Sequence, residues 1–215
     1  MNLDEIFATP KHSVFDNYVP IVTIKNITTV YLTDIIESPS LYNELCFKLD
    51  TASEAEKFII VINTPGGILD AALMIVNSIR NTKAEVTAKL AGTVASAGTI
   101  ITLACKNVII ADHTAFMIHN YSGGLVGKGH ELKAHQEFVD ANLNKSFSDL
   151  YAGFLTPAEI KKVIDGKDYW MNKEEVEQRL LKRAEYDSRA VVYTDAPEGY
   201  EVPVRRRGRP SRKVD

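Results

Sequence analysis

The chain is poor in sulfur chemistry. Two of its 215 residues are cysteine, Cys46 and Cys105, with no CxxC pair or His/Cys cluster beside them. That excludes a disulfide framework and gives a zinc ion no ligand set, so no metal site is expected. Both thiols lie in apolar stretches and are expected to be buried and free. No apolar run approaches the ~18–20 residues of a membrane span, so no membrane partner is expected. The first stretch, MNLDEIFATPKHSVFDNY, lacks the basic-then-apolar layout of a secretory signal, and the expected setting is cytoplasmic. There is no GxxxxGK[ST] loop and no GxGxxG after a strand, and no cofactor is expected.

Apolar residues make up 45% of the chain, enough for a real core. The net charge of −3 is uneven: residues 205–215 carry six basic side chains and one acid, a net +5, which leaves −8 on the remainder. The basic tail RRRGRPSRKVD includes RGRP, which is similar to the minor-groove AT-hook. One short match weighs less than a solvated tail, so nucleic acid is not expected as a partner.

Strand and helix signals alternate along the body. Residues 19–33 are β-branched and read as one or two strands. SPSLYNELCFKLDTA has helical spacing at Leu41, Leu45 and Leu49 behind serine caps. KFIIVIN is a continuous apolar run typical of a strand buried on both faces. ILDAALMIVNSIR places Leu69, Leu73 and Val76 along one side, with Ala72 and Ile79 completing the apolar face. EVTAKLAG, NVIIAD and AFMIHN read as strands and SAGTIITLAC as a buried helix. A long helix over about 131–151 is anchored by Leu132, Phe138, Val139, Leu143, Phe147 and Leu150. TPAE at 156–159 and Asn172 with Glu175 are helix starts with capping boxes. This order predicts an α/β domain with a mostly parallel sheet over residues 19–186, a flexible arm at 1–18, and a linker with a basic, disordered tail at 187–215.

Four places could carry chemistry. The glycines of NTPGG, Gly66 and Gly67, follow a buried strand and could present amides to an anion or simply make a tight turn. Ser96 in GTVASAGT sits among Ala95, Ala97 and Gly98 at a strand-to-helix junction. That layout suits an activated nucleophile and equally suits close helix packing. It is not the GxSxG elbow, because the glycine lies four residues before the serine. His119 ends an apolar strand, where open α/β sheets bind ligands, and is either a general base or structural. Asp168 in GKDYWMN is read as a partly buried carboxylate able to orient an imidazole, or as a loop aspartate. Asp112 and His113 adjoin a turn between strands, and the turn is the simpler reading.

In order and spacing, INTPGG at 62–67, GTVASAG at 92–98, FMIHN at 116–120, the glycine-rich YSGGLVGKG and DYWMNKEEV at 168–176 together resemble the ClpP family, the proteolytic subunits of the Clp protease. The resemblance covers about residues 29–176. It implies a ClpP/crotonase-like fold of stacked strand–helix (ββα) units with a protruding strand–helix handle. It implies a serine endopeptidase with Ser96 as nucleophile, His119 as base and Asp168 as orienting acid. Gly67 and Ala97 would supply the oxyanion amides. Gly66, Gly123 and Gly124 would line an extended substrate, which pairs with YSGGLVGKG as a sheet edge. It further implies homo-oligomeric rings, heptamers or stacked heptamers, that receive unfolded polypeptide from an AAA+ unfoldase. A phage head-maturation protease and a crotonase-like acyl-CoA enzyme are alternatives within the same fold. The chain departs from the family in Ala97, where methionine is usual, and in Asn120, where glutamine is common. It departs again in QRLLKRAEYDSR, which replaces a glycine and a short strand.

Overall fold

The computed structural model describes residues 19–123 and 126–188, together with two dipeptide strands, Ala190–Val191 and Arg209–Pro210, that pair antiparallel. The expected arm at 1–18 and most of the expected tail lie outside the described residues. The stretch read as one or two strands is a hairpin of β1 (Ile21–Ile24) and β2 (Ile27–Leu32). A 3₁₀ turn, Pro39–Tyr42, and α1 (Asn43–Thr51) follow. The serines before them do not cap a helix; Ser38 and Ser40 hydrogen-bond each other through their hydroxyls. Then come β3 (Lys57–Thr64), α2 (Leu69–Asn81), β4 (Glu85–Ala95), α3 (Ala97–Ala104), β5 (Asn107–Ile110) and β6 (Ala115–Ile118). The chain continues with α4 (Gly129–Tyr151), α5 (Pro157–Ile164), β7 (Tyr169–Met171) and α6 (Lys173–Ser188).

Seven strands form one sheet in the order β1-β2-β3-β4-β6-β7, with β5 also on β4. The inner pairings are parallel, and β7 returns antiparallel on β6. Phe58, Ile60 and Ile62 of β3 are buried with Val86, Ala88 and Leu90 of β4. The other face of β3 is not closed as the continuous apolar run suggested: Ile59 and Val61 are only half-buried there. On α2 the buried stripe is Ala71, Ala72, Ile75, Val76 and Ile79, so Leu69 and Leu73 flank the core rather than centre it. Both cysteines are buried and unpaired.

β4 changes neighbour along its length. Residues 87–90 pair with β5 and residues 93–95 with β6. Between them the register with β3 slips, from Ile62 opposite Leu90 to Thr64 opposite Val94. Asn63 fills the irregularity, its side-chain oxygen accepting the Thr93 amide at 3.0 Å. A bulge of this kind bends a strand and re-aims its end, here toward Ser96.

The helix α4 begins two residues ahead of its expected start. Of its expected anchors only Phe147 and Leu150 are buried, joined by Tyr151; Phe138 is 68% exposed. Most of this helix therefore stands off the body, as a handle does. The described residues between β6 and α4 form no strand. Among the described residues, those of the expected handle strand pair with no sheet edge, and a strand exists only through pairing.

Beyond these anchors, α6 closes the helical layer. Arg183, 7% exposed, donates Nη1 to the Leu150 carbonyl at 3.0 Å and Nη2 to the Leu103 carbonyl at 2.9 Å. One cation thus serves the C-terminal ends of α3 and α4, where the helix dipoles favour positive charge. Replacing it with methionine leaves two buried carbonyls unpaired. Arg183→Met is expected to lower unfolding free energy by ~2–4 kcal/mol, read from urea midpoints.

Glu159 closes the α5 capping box on Thr156 and also meets Arg179 of α6 fork to fork, at 2.8 and 3.2 Å. The Arg179 guanidinium pulls its carboxyl from 4.5 down to about 2. The folded value is depressed, so this stabilisation is complete above about pH 4.5 and is lost as pH falls toward 2. In Glu159→Gln, melting temperature is expected to fall less between pH 5 and pH 2.5 than in wild type, although it starts lower.

Candidate active site

Ser96 occupies the junction between β4 and α3. It takes φ 52° and ψ −120°, a left-handed conformation that side chains rarely adopt. Its amide donates to the Met117 carbonyl of β6 at 2.9 Å. Its carbonyl accepts from the Thr99 amide at 2.9 Å and from the Thr99 hydroxyl at 2.6 Å. The sharp turn leaves the Ser96 side chain free of the capping role that serine usually takes at a helix start. Oγ instead lies 2.7 Å from Nε2 of His119. For Nε2 to accept the hydroxyl proton, the ring proton must reside on Nδ1.

His119 follows the last residue of β6, so the sheet carries both side chains: one beyond β4, the other beyond the neighbouring strand. Asn120 ties down the chain just past the imidazole. Its side-chain amide donates to the Ile164 carbonyl at the end of α5 at 2.9 Å, and its oxygen accepts the Tyr121 amide at 2.9 Å. The Tyr121 hydroxyl donates to Asp140 of α4, and Gln136 donates to both, at 2.7 and 2.9 Å. These ties pull the carboxyl of Asp140 down and push the phenol of Tyr121 up, each through the bond to the other.

Asp168 differs from its expectation. It was expected to be partly buried, and it is exposed. Ile118 pairs with Tyr169, so the same antiparallel register extended by one residue sets His119 opposite Asp168. Among the described residues no hydrogen bond joins the two side chains. The aromatics that suggested burial face elsewhere: Trp170 is exposed, and Tyr169 receives the Lys167 ammonium over its ring at 4.8 Å.

Gly66 and Gly67 form a strap beside the serine. The Ile36 amide donates to Gly66 O at 2.8 Å, and the Ile68 amide donates to Ile36 O at 2.7 Å. At Gly66, φ is +102°, and a Cβ would stand 2.6 Å from the Ser96 Cβ. At Gly67, φ is +147°, and a Cβ would strike the Ile36 carbonyl oxygen at 2.0 Å. Neither position tolerates a side chain. Thr64, fully buried, knots the strap by donating to Asp34 O at 2.6 Å and accepting the Gly66 amide at 3.0 Å. Ala97 opens α3, so its amide is among the N–H groups that a helix start leaves without an internal partner. Gly123 is exposed with open space around it, and Gly124 lies outside the described residues. Asp112 pairs with Lys173 at 2.6 Å in a turn, away from the Ser96–His119 pair.

Sequence reasoning did not single out Thr64, Thr99, Asn120 or Tyr151 as supports of this site. Thr99 carried a signal: it lies three residues after Ser96, where a threonine hydroxyl can reach back to a carbonyl.

A family model described as Clp protease matches residues 20–179. ATP-dependent Clp protease proteolytic subunit 2 of Pseudomonas aeruginosa is 30% identical over 122 residues, which cover 54% of this chain and 59% of that protein. The ATP-dependent Clp protease proteolytic subunit of Streptococcus suis is 32% identical over 143 residues, or 63% of this chain and 71% of that one. Subunit 1 of Chlamydia caviae is 29% identical over 133 residues, or 59% and 69%. The aligned part thus spans about three fifths of the Pseudomonas protein. The matched segment runs from the residue before β1 into α6 and includes every residue of the Ser96–His119 site; the chain belongs to the Clp protease family.

Proposed function

We propose that the chain is a serine endopeptidase in which Ser96, His119 and Asp168 act as nucleophile, base and orienting acid. The observation that carries this reading is the 2.7 Å contact between Ser96 Oγ and His119 Nε2 at the N-terminus of a buried helix. His119 takes the hydroxyl proton as Oγ attacks the peptide carbonyl carbon. The new oxyanion receives the amides of Gly67 and Ala97, helped by the positive end of the α3 dipole. The imidazolium then gives its proton to the leaving amine, and water repeats the sequence on the acyl-enzyme. In this reading Asp168 turns from solvent onto Nδ1–H across the extended β6–β7 register, holding the tautomer that the first step requires. A crotonase-like acyl-CoA reaction would leave the Ser96–His119 contact without a role.

Substrate in the same reading is unfolded polypeptide, laid as an extra strand beside Gly123 and Gly124. Among the described residues, those around Gly123 pair with no strand, which supports this, since a peptide would supply the missing edge. The exposed Val126 and Phe138 near and on the handle support a homo-oligomer in which other copies cover them. A ring chamber, an AAA+ unfoldase partner and a cytoplasmic setting belong to the same proposal.

A fluorophosphonate probe is expected to label the wild-type protein at Ser96. Ser96→Ala abolishes labelling and His119→Ala slows it by at least ~10³-fold. A folded, assembled wild type that stays unlabelled overturns the proposal. Gly66→Ala is expected to slow labelling by ~10²-fold or more, because the added methyl must displace the Ser96 Cβ. Mass spectrometry of the intact protein over time reads both effects.

A further inference from the structure

We propose that Tyr151 and Thr99 form a positioning relay that holds the backbone of Ser96 in its reactive conformation; this rests on the reading of Ser96 as a nucleophile. A non-glycine residue at φ 52° is strained and persists only where its surroundings over-determine it. On the amide side the constraint is the Met117 carbonyl of the adjacent strand. On the carbonyl side it is Thr99, whose amide and hydroxyl both reach the Ser96 oxygen.

The hydroxyl of Thr99 has one proton. At 2.6 Å from the Ser96 carbonyl, which can only accept, that proton is committed. The Tyr151 hydroxyl, 2.7 Å from Thr99 Oγ1, must therefore be the donor in that contact. The opposite assignment would face the Thr99 and Ser96 oxygens with no proton between them. The relay runs one way, from phenol to threonine to carbonyl. It is sealed from water: Tyr151 is 1% exposed and Thr99 0%. Burial also pushes the phenol well above its ordinary range, so the donor keeps its proton at any working pH. Tyr151 is the last residue of α4, next to Leu150, whose carbonyl Arg183 holds. Neither residue touches substrate or the reacting atoms, so both act through the turn.

Fluorophosphonate labelling of the full chain, measured as a rate per folded protein, tests the relay. Tyr151→Phe keeps the ring and loses the donor, and is expected to slow labelling about fivefold, as a single lost hydrogen bond would. Thr99→Val is expected to slow it about tenfold or more. Thr99→Ser, which keeps the hydroxyl, is expected to stay within about twofold of wild type. In the Thr99→Val background, Tyr151→Phe should add nothing, because the path is already cut. Wild-type rates in Tyr151→Phe, effects that multiply independently, or a Thr99→Ser variant as slow as Thr99→Val would each overturn the relay. A wild type that never labels would instead overturn the nucleophile reading itself.

Discussion

Everything at the site depends on one backbone conformation, the left-handed turn at Ser96. Had the chain passed from β4 into α3 through an ordinary extended cap, the serine hydroxyl would have bonded to the first amides of its own helix. The positive φ diverts it to the imidazole instead. Such a turn is unfavourable on its own terms. Its surroundings make it stable: a strand on one side, Thr99 on the other, and the glycine strap pressed against its Cβ.

The sheet supplies the remaining order. A single irregularity where β4 exchanges β5 for β6 brings the end of β4 alongside the end of β6, so Ser96 and His119 emerge from neighbouring strands. Asp168 comes from the antiparallel return of β7, a short strand with three paired residues. The first two groups stand at the ends of neighbouring parallel strands inside the sheet and already touch. The third rests on a short pairing beside solvent and stands apart.

How much of this could be read from residue order differs by element. Strands of alternating or continuous apolar character and helices with capping boxes were legible, because local periodicity and caps dictate them; Thr156 and Asn172 behave as their patterns required. The residues proposed for the site stood out only as a conjunction, since each of Ser96, His119 and Asp168 alone has an ordinary structural reading. The covered face of each element was harder to see. Leu69, Leu73 and Phe138 have the right spacing for a core, but tertiary neighbours decide which side is covered, and here they chose the small side of α2 and only the last turns of α4. The supports of the serine were the least visible. Tyr151 lies 52 residues from Thr99, and nothing local to either announces the contact.

Arg183 and Tyr186 fall after residue 179, where the likeness to the family ends. Yet Arg183 holds the ends of α3 and α4, and Tyr186 lies so close over Gly153 that a Cβ there would sit 2.8 Å from its ring. The inherited segment and the folding unit therefore have different borders. A shortened version cut where the shared sequence stops would keep every residue proposed for the chemistry and lose the clasp that steadies the two helices behind them. Divergence at this end of the chain has reached into the architecture.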